Sequence, residues 1–255
     1  MTSDNANVQI APLVPNIPMP YIAGPRTRAI VPSGYGVQEQ CLPFTAASGL
    51  GFLIPSPIRF GHCPMNEVPK GCLVFRSPFP VDGLQREWVF YVQDDPSARF
   101  SGNAYNITDL PQTGAFAEPG ISFFDREDQQ DLFKLHLPYI WRTSSNVDTL
   151  FLPLINRSAK GLEVQSGLVE TDWYATPINL VLRKSKSAIH FLQNQEIAQA
   201  ILIVREHRKP QIEVVAGHSR VSRECFKALL DWYDKHARDR SAYKILARSQ
   251  EGRIE

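Results

Sequence analysis

Residues 167–199 read GLVETDWYATPINLVLRKSKSAIHFLQNQEIAQ, and no other stretch constrains the fold as closely. An acidic turn is followed by the alternating run Ile178–Arg183, and the segment closes on the strand entry Ile197-Ala198-Gln199. Alternation of apolar and polar residues is the mark of a half-buried strand. The entry continues into IAQAILIVRE (197–206), with the length and character of a strand buried on both faces. Such a strand needs neighbours on both sides, so a β-rich body is expected around it.

The rest of the chain agrees. At 255 residues it is long enough to bury about three quarters of its unfolded surface, as one large β domain or two small ones. Hydrophobic residues make up 43% and charged residues 21%, which suits a folded globular chain. The runs Phe52–Phe60, Gly71–Arg76 and Trp88–Gln93 have a period of two, with a plausible hairpin turn at Val81-Asp82-Gly83. Further strands are expected from ISFF, LFKLHL, YIWRT and TLFLPLIN beyond residue 120, and from QIEVV after Pro210. Two segments read as helices. Phe44, Ala47 and Leu50 share a face behind Pro43, with Gly49 or Gly51 as the stop. Over 221–247, Phe226, Leu229, Leu230, Tyr233 and Ala237 form one stripe, most simply a helix laid on a sheet.

These signals predict a mainly β protein, a β-clip or distorted jelly-roll core with a short N-terminal helix and a C-terminal helix. Four regions are expected, forming one compact body. Residues 1–40 are a proline-rich extended arm, 41–120 a β-rich N-terminal part, 121–215 the β-clip-like core and 216–255 the C-terminal helical segment. Closely spaced Pro12, Pro15, Pro18 and Pro20 rule out a helix in the arm.

Composition also narrows function. With 27 basic and 26 acidic residues there is no surplus of positive charge for neutralising phosphates, so no nucleic-acid partner is expected. No apolar run approaches the roughly 20 residues of a membrane span, and no signal-like segment opens the chain. No membrane partner and a cytoplasmic location are therefore expected. Four cysteines (Cys41, Cys63, Cys72, Cys225) form no CxxC pair and read as buried free thiols, though Cys63 and Cys72 would come together on adjoining strands. There is no GxSxG elbow, Walker-type loop or GxGxxG loop. His136 and His190, with Glu170, could supply two histidines and a carboxylate to a metal, as in cupin-like oxygenases. Their spacing lacks the HxH or HxD pairs that nucleate such sites, and core or surface histidines are the ordinary alternative. No metal ligand is assigned and no cofactor is named.

The candidate site lies in the opening segment. Glu170 and Asp172, two apart on a turn, could share a proton or bind a cation, or could be a solvated turn. Arg157 could clamp an anion or close a salt bridge at a strand end. Trp173 and Tyr174, with Tyr139 and Trp141 nearby in sequence, could wall a planar ligand or belong to the core.

The same segment resembles the dUTPase and dCTP-deaminase superfamily. That family carries a Gly-Leu-Ile-Asp-x-Asp-Tyr turn and a later strand entered through Gly-x-Arg-Ile-Ala-Gln. Here the turn is Gly167-Leu168-Val169-Glu170-Thr171-Asp172-Trp173 and the entry is Asn194-Gln195-Glu196-Ile197-Ala198-Gln199, at matching spacing. The resemblance implies that Glu170 orients a water or a sugar hydroxyl, Trp173 packs on deoxyribose and Gln199 helps hold a sugar-phosphate. It also implies a homotrimer with sites between subunits. Asn194 stands where the family turns through Gly, and it can take the same left-handed conformation. Glu170 replaces Asp, Trp173 replaces Tyr and Glu196 replaces Arg. The only counterpart of the Arg-Ser-Gly phosphate motif is Arg157-Ser158-Ala159, and residues 206–255 hold no glycine-rich lid. Without cradle and lid, the groups that stabilise phosphoryl transfer are missing. The whole chain also resembles a bacterial and phage family of unknown function, which has Cys-Leu-Pro before a short helix, a Gly-Leu-Val-Asp-Thr-Asp turn and an Ile-Ala-Gln strand. Cys41-Leu42-Pro43 matches the first of these.

Three functions follow as expectations. The first is a small-molecule-binding protein, catalytic or not, with a nucleotide-like ligand at a dUTPase-like site that lacks the lid. The second is a metal-dependent cupin-like oxygenase or cyclase, and the third is a non-catalytic homo-oligomeric assembly protein.

Overall fold

The computed structural model describes residues 7–13, 17–24, 42–77, 87–93, 120–157, 161–174, 176–209 and 220–236. The turn at 81–83, the loop-rich 94–119 and the QIEVV strand lie outside the described residues. The fold is mainly β and antiparallel throughout, with a short helix early and a longer one late, as the periodicity predicts.

The arm contributes β1 (Val8–Pro12) and β2 (Tyr21–Ile22). Helix α1 (Leu42–Ser48) carries Pro43 in its first turn, where a missing N–H costs nothing. Beyond it Gly51 takes a left-handed φ of 66°, and a Cβ there would lie 2.0 Å from the Ala200 carbonyl oxygen. Only glycine fits that approach. Then come β3 (Phe52–Pro55), β4 (Phe60–Pro64), β5 (Cys72–Phe75) and β6 (Trp88–Gln93). The Phe52–Phe60 run is thus two strands rather than one. Pro55 and Pro57 cannot donate to a ladder, and Ser56 ties the corner by donating its hydroxyl to the Ile58 carbonyl at 2.7 Å.

The second half supplies β7 (Ile121–Phe123), β8 (Leu132–His136), β9 (Tyr139–Thr143) and β10 (Val147–Leu152). It continues with β11 (Glu163–Val164), β12 (Gly167–Val169), β13 (Asn179–Arg183), β14 (Ile189–Phe191) and β15 (Glu196–Val204). The strands pair as β12-β10-β15-β3-β2, as β11-β13-β8-β7, as β14-β4-β6-β5, and as β1 with β9. From β10 to β15 the chain moves repeatedly between sheets, so most ladders join distant segments. Within β15, Ile197, Ala198 and Ala200 are fully buried between β10 and β3, while Ile201–Val204 is only partly covered. The expectation of burial on both faces holds for its first half.

One apolar core joins all three larger sheets. Phe90 of β6 packs on Phe133 of β8, ring centroids 4.6 Å apart, and Phe60 of β4 stacks on Phe191 of β14 at 5.2 Å. Trp141 of β9 meets Phe52 and Phe151 edge-on. Each such side chain contributes about 1.5–3 kcal/mol on full burial. The core therefore draws on residues 52–92 as well as on those after 120. Cys63 and Cys72 do not sit on adjoining strands, because β6 lies between β4 and β5. Burial raises both thiols above their ordinary pKa; Cys63 is buried as expected, whereas Cys72 is only partly covered and Cys225 is exposed.

Residues Met1–Arg208 make one unit and Lys209–Glu255 another. In the second, helix α2 (Arg220–His236) forms where the stripe predicts, with Arg220 donating to Glu224 one turn on at 2.8 Å. No helix among the described residues is long and apolar enough to cross a membrane.

Candidate functional site

The acidic turn leaves β12 at Val169 and is wound tightly. The amides of Trp173 and Tyr174 both donate to the Glu170 carbonyl, at 3.3 and 3.0 Å. Its alternation decides which side chains face in. Thr171 is fully buried, and its hydroxyl meets those of Thr143 and Thr149 at 2.8 Å each, so three hydroxyls satisfy one another beneath the turn. Glu170 and Asp172, on either side, point away from this cluster, Glu170 partly exposed and Asp172 largely covered.

Both carboxylates are held by guanidinium groups from the short 3-10 helix Arg205–Arg208 that follows β15. Arg208 donates to Glu170 Oε1 at 2.9 Å, and the Trp173 indole N–H donates to Glu170 Oε2 at 2.7 Å. Arg205 donates to Asp172 Oδ1 at 2.7 Å, and the Asn146 amide to Oδ2 at 3.1 Å. Beneath them Asp148 is 0% exposed; it accepts from Arg205 at 2.8 Å and also from Arg208. Three carboxylates and two guanidinium groups form one network.

The bond from Arg208, and then that from Trp173, lowers the Glu170 pKa. Desolvation would raise that of Asp172, but Arg205 and the Asn146 amide outweigh it and the result is lowered. Arg205 and Arg208 are shifted further upward by the same partners. A carboxylate with both oxygens engaged and its pKa depressed is a poor general base near neutral pH. The arrangement is suited to rigidity and to presenting Trp173, whose ring is 66% exposed while its N–H is fixed. Tyr174 sits edge-on to it, centroids 6.2 Å apart, and is half-buried.

The sequence-predicted residues fall into two groups. Glu170, Asp172, Trp173 and Tyr174 share the turn, whereas Arg157 and Gln199 lie toward the other end of the β10–β15 ladder. Gln199 pairs with Leu152, and Arg205 lies six residues further along, on the order of 20 Å at strand rise. Gln199 is buried, its amide donating to the Leu50 carbonyl and accepting from the Ile155 amide. Arg157 pairs with Glu196 at 3.2 Å and donates to the Gly24 carbonyl at 2.7 Å. Tyr21 donates to the same carboxylate at 2.6 Å. The sequence reading missed Asp148, Arg205 and Arg208. A cue existed in the Arg205-Glu-His-Arg208 run directly after the central strand, but only the strand register shows its partners.

The three residues of the metal alternative lie apart. His136 on β8 bonds Ser122 at 2.8 Å, His190 on β14 bonds Tyr91 at 2.7 Å, and Glu170 is engaged as above. Among the described residues no group of three or more His, Cys, Asp and Glu is placed to hold a metal ion. Tyr139 and Trp141 belong to the core rather than to the turn.

No protein-family model and no curated protein sequence matches the chain. Among solved structures, the native dUTPase of EIAV overlaps 39% of this chain and 98% of its own length, at 13% identity and a TM-score of 0.26. An overlap this loose carries no functional argument.

Proposed function

We propose that the protein binds a small planar metabolite, nucleotide-like in shape, on the Trp173 platform. The observation that carries this reading is a large aromatic ring left open to solvent while its indole N–H is locked to Glu170. Aromatic faces held rigid bind flat rings at low entropic cost. Tyr174 walls one side, and the Glu170–Arg208 pair offers both an acceptor and a donor at the ring edge. Asp172 and Arg205 hold the turn in shape. Arg157 and Gln199 act at a distance as braces for the loops at the other end of the ladder. The reading is one of binding, because the carboxylates are neutralised by their arginines.

The test is a titration of nucleosides and nucleoside phosphates, followed by thermal shift and tryptophan fluorescence. A ligand that binds only the folded chain raises the melting temperature by mass action. A shift with base-containing ligands, abolished in Trp173→Ala, is the expected result. An undiminished shift in that variant removes the proposal.

One observation favours a second reading, a homo-oligomeric assembly role. Leu168, on edge strand β12, is 45% exposed close in sequence to Trp173, and paired exposed apolar residues at a sheet edge suit a subunit contact. Light scattering decides: a trimer that dissociates in Leu168→Lys supports it, and a monomer at all concentrations excludes it.

A further inference from the structure

One face of sheet β14-β4-β6-β5 carries a second polar cluster, and the strand register builds it. Tyr91 of β6 pairs with Gly61 of β4, which in turn pairs with His190 of β14, so the three line up across three strands. A Cβ at Gly61 would lie 2.5 Å from Tyr91 Cζ and equally close to the Ile189 carbonyl oxygen. Only glycine lets the phenol ring cross β4 in this way. The phenol oxygen then meets His190 Nδ1 at 2.7 Å, and the guanidinium of Arg59, just ahead of β4, is a second hydrogen-bond partner of the same oxygen.

These donors fix the imidazole tautomer. A guanidinium can only donate, so the phenol oxygen accepts from Arg59. The phenol hydrogen then goes to Nδ1, because Tyr91 is 0% exposed and has to place that donor inside the fold. Burial raises the Tyr91 pKa, and the opposing pull of Arg59 does not cancel it, so the hydrogen stays on the phenol. With Nδ1 accepting, the neutral ring carries its own hydrogen on Nε2, and His190 is exposed. The same logic orients Gln93. Arg59 Nη1 donates to its Oε1 at 3.2 Å, which leaves the NH2 of this exposed amide as a donor. Among the described residues no carboxylate pairs with Arg59, whereas Arg157, Arg183, Arg205 and Arg208 each have one.

We propose that Arg59, His190 and Gln93 form a surface site for a phosphate group, with Tyr91 as the residue that positions the imidazole. All three offer donors. Two hydrogen bonds that meet on one phenol oxygen keep Arg59 and His190 within about 6 Å of each other, a span that one oxyanion bridges. The guanidinium fork suits phosphate oxygens. A tetrahedral phosphate accepts from several sides, whereas a carboxylate presents two oxygens in one plane. His190 and Gln93 are exposed, so the anion needs no internal cavity and keeps part of its hydration. The thiols of Cys63 and Cys72, raised by burial, stay neutral and do not repel it.

Inorganic phosphate is the probe, with acetate in parallel, titrated at constant ionic strength and about pH 8, above the ordinary histidine range. The imidazole nitrogen resonances are followed by NMR. The natural chain should show His190 in the Nε2–H form and a saturable phosphate-induced shift, with affinity at least tenfold weaker in Arg59→Met. Tyr91→Phe should let the Nδ1–H form appear and weaken phosphate several-fold. A predominant Nδ1–H form in the natural chain, no phosphate shift, equal affinity in Arg59→Met, or acetate bound as tightly would each overturn the site. Unchanged affinity in Tyr91→Phe would overturn the positioning role. Should Arg59→Met fail to fold, Arg59→Lys keeps the charge without the fork and must weaken binding too; undiminished affinity there overturns the proposal.

Discussion

At the scale of single residues, the least obvious consequence of this fold is the acid sensitivity built into His62. The ring is neutral in folded and unfolded chains alike above pH 6.5. Below that the unfolded chain takes up a proton that the folded one refuses until about pH 4. Stability therefore falls as pH falls through that window, by roughly 2 kcal/mol between pH 7.5 and 5. Urea unfolding at the two pH values should show this loss in the natural chain and lack most of it in His62→Gln; equal losses would remove His62 as the cause. Residues such as this divide into those readable alone and those that are not. Asn194 was readable, since few residues tolerate a left-handed turn, and it has φ of 70°. Arg157 was not, because its partners Glu196 and Gly24 are distant in the chain and nothing local announces them.

Elements were more legible than their partners. Tyr139–Thr143 is a strand over the residues its alternation marks, because a pleated strand half in the core leaves a period of two. Trp88–Gln93 is a strand with Val89–Val92 all buried, so its apolar, β-forming residues and not a period of two mark it. The break at Pro55–Pro57 was also written locally, in prolines unable to join a ladder, yet the apolar run around them hid it. Pairing lies beyond local sequence. The register of β10 on β15 sets Asp148 opposite Ile203, which brings it within reach of Arg205 and, one turn on, of Arg208. That network fastens β10, the acidic turn and the 3-10 helix together through a buried carboxylate. Asp148→Asn should cost about 3 kcal/mol in urea unfolding, since two guanidinium groups lose their shared buried charge. Glu170→Gln, at the exposed end, should cost clearly less. The reverse order would place the strength of the network at the surface turn instead.

On the scale of the whole molecule, the chain builds its sheets from distant segments. Among the described strands only β2–β3, β5–β6 and β7–β8 pair with their immediate successors. Folding of such non-local ladders is slow, in the millisecond-to-second range. It also makes the position of any truncation informative. The buried apolar cluster runs from Ile54 to Ala200, entirely within the Met1–Arg208 unit, but the charges that lock the turn come from its last four residues. A chain cut after Lys209 keeps both the core and the network, and should melt in one cooperative transition close to that of the full chain. A chain cut after Val204 keeps the core but loses Arg205 and Arg208, leaving Asp148 buried and unpaired. If that costs about 3 kcal/mol, its melting temperature should drop by roughly 6–12 °C at this size. Circular dichroism melts of the two shortened chains measure the difference directly. If both match the full chain, the arginines are ornamental to stability; if both are unfolded, the β core depends on residues beyond Lys209 and the first unit is not self-sufficient.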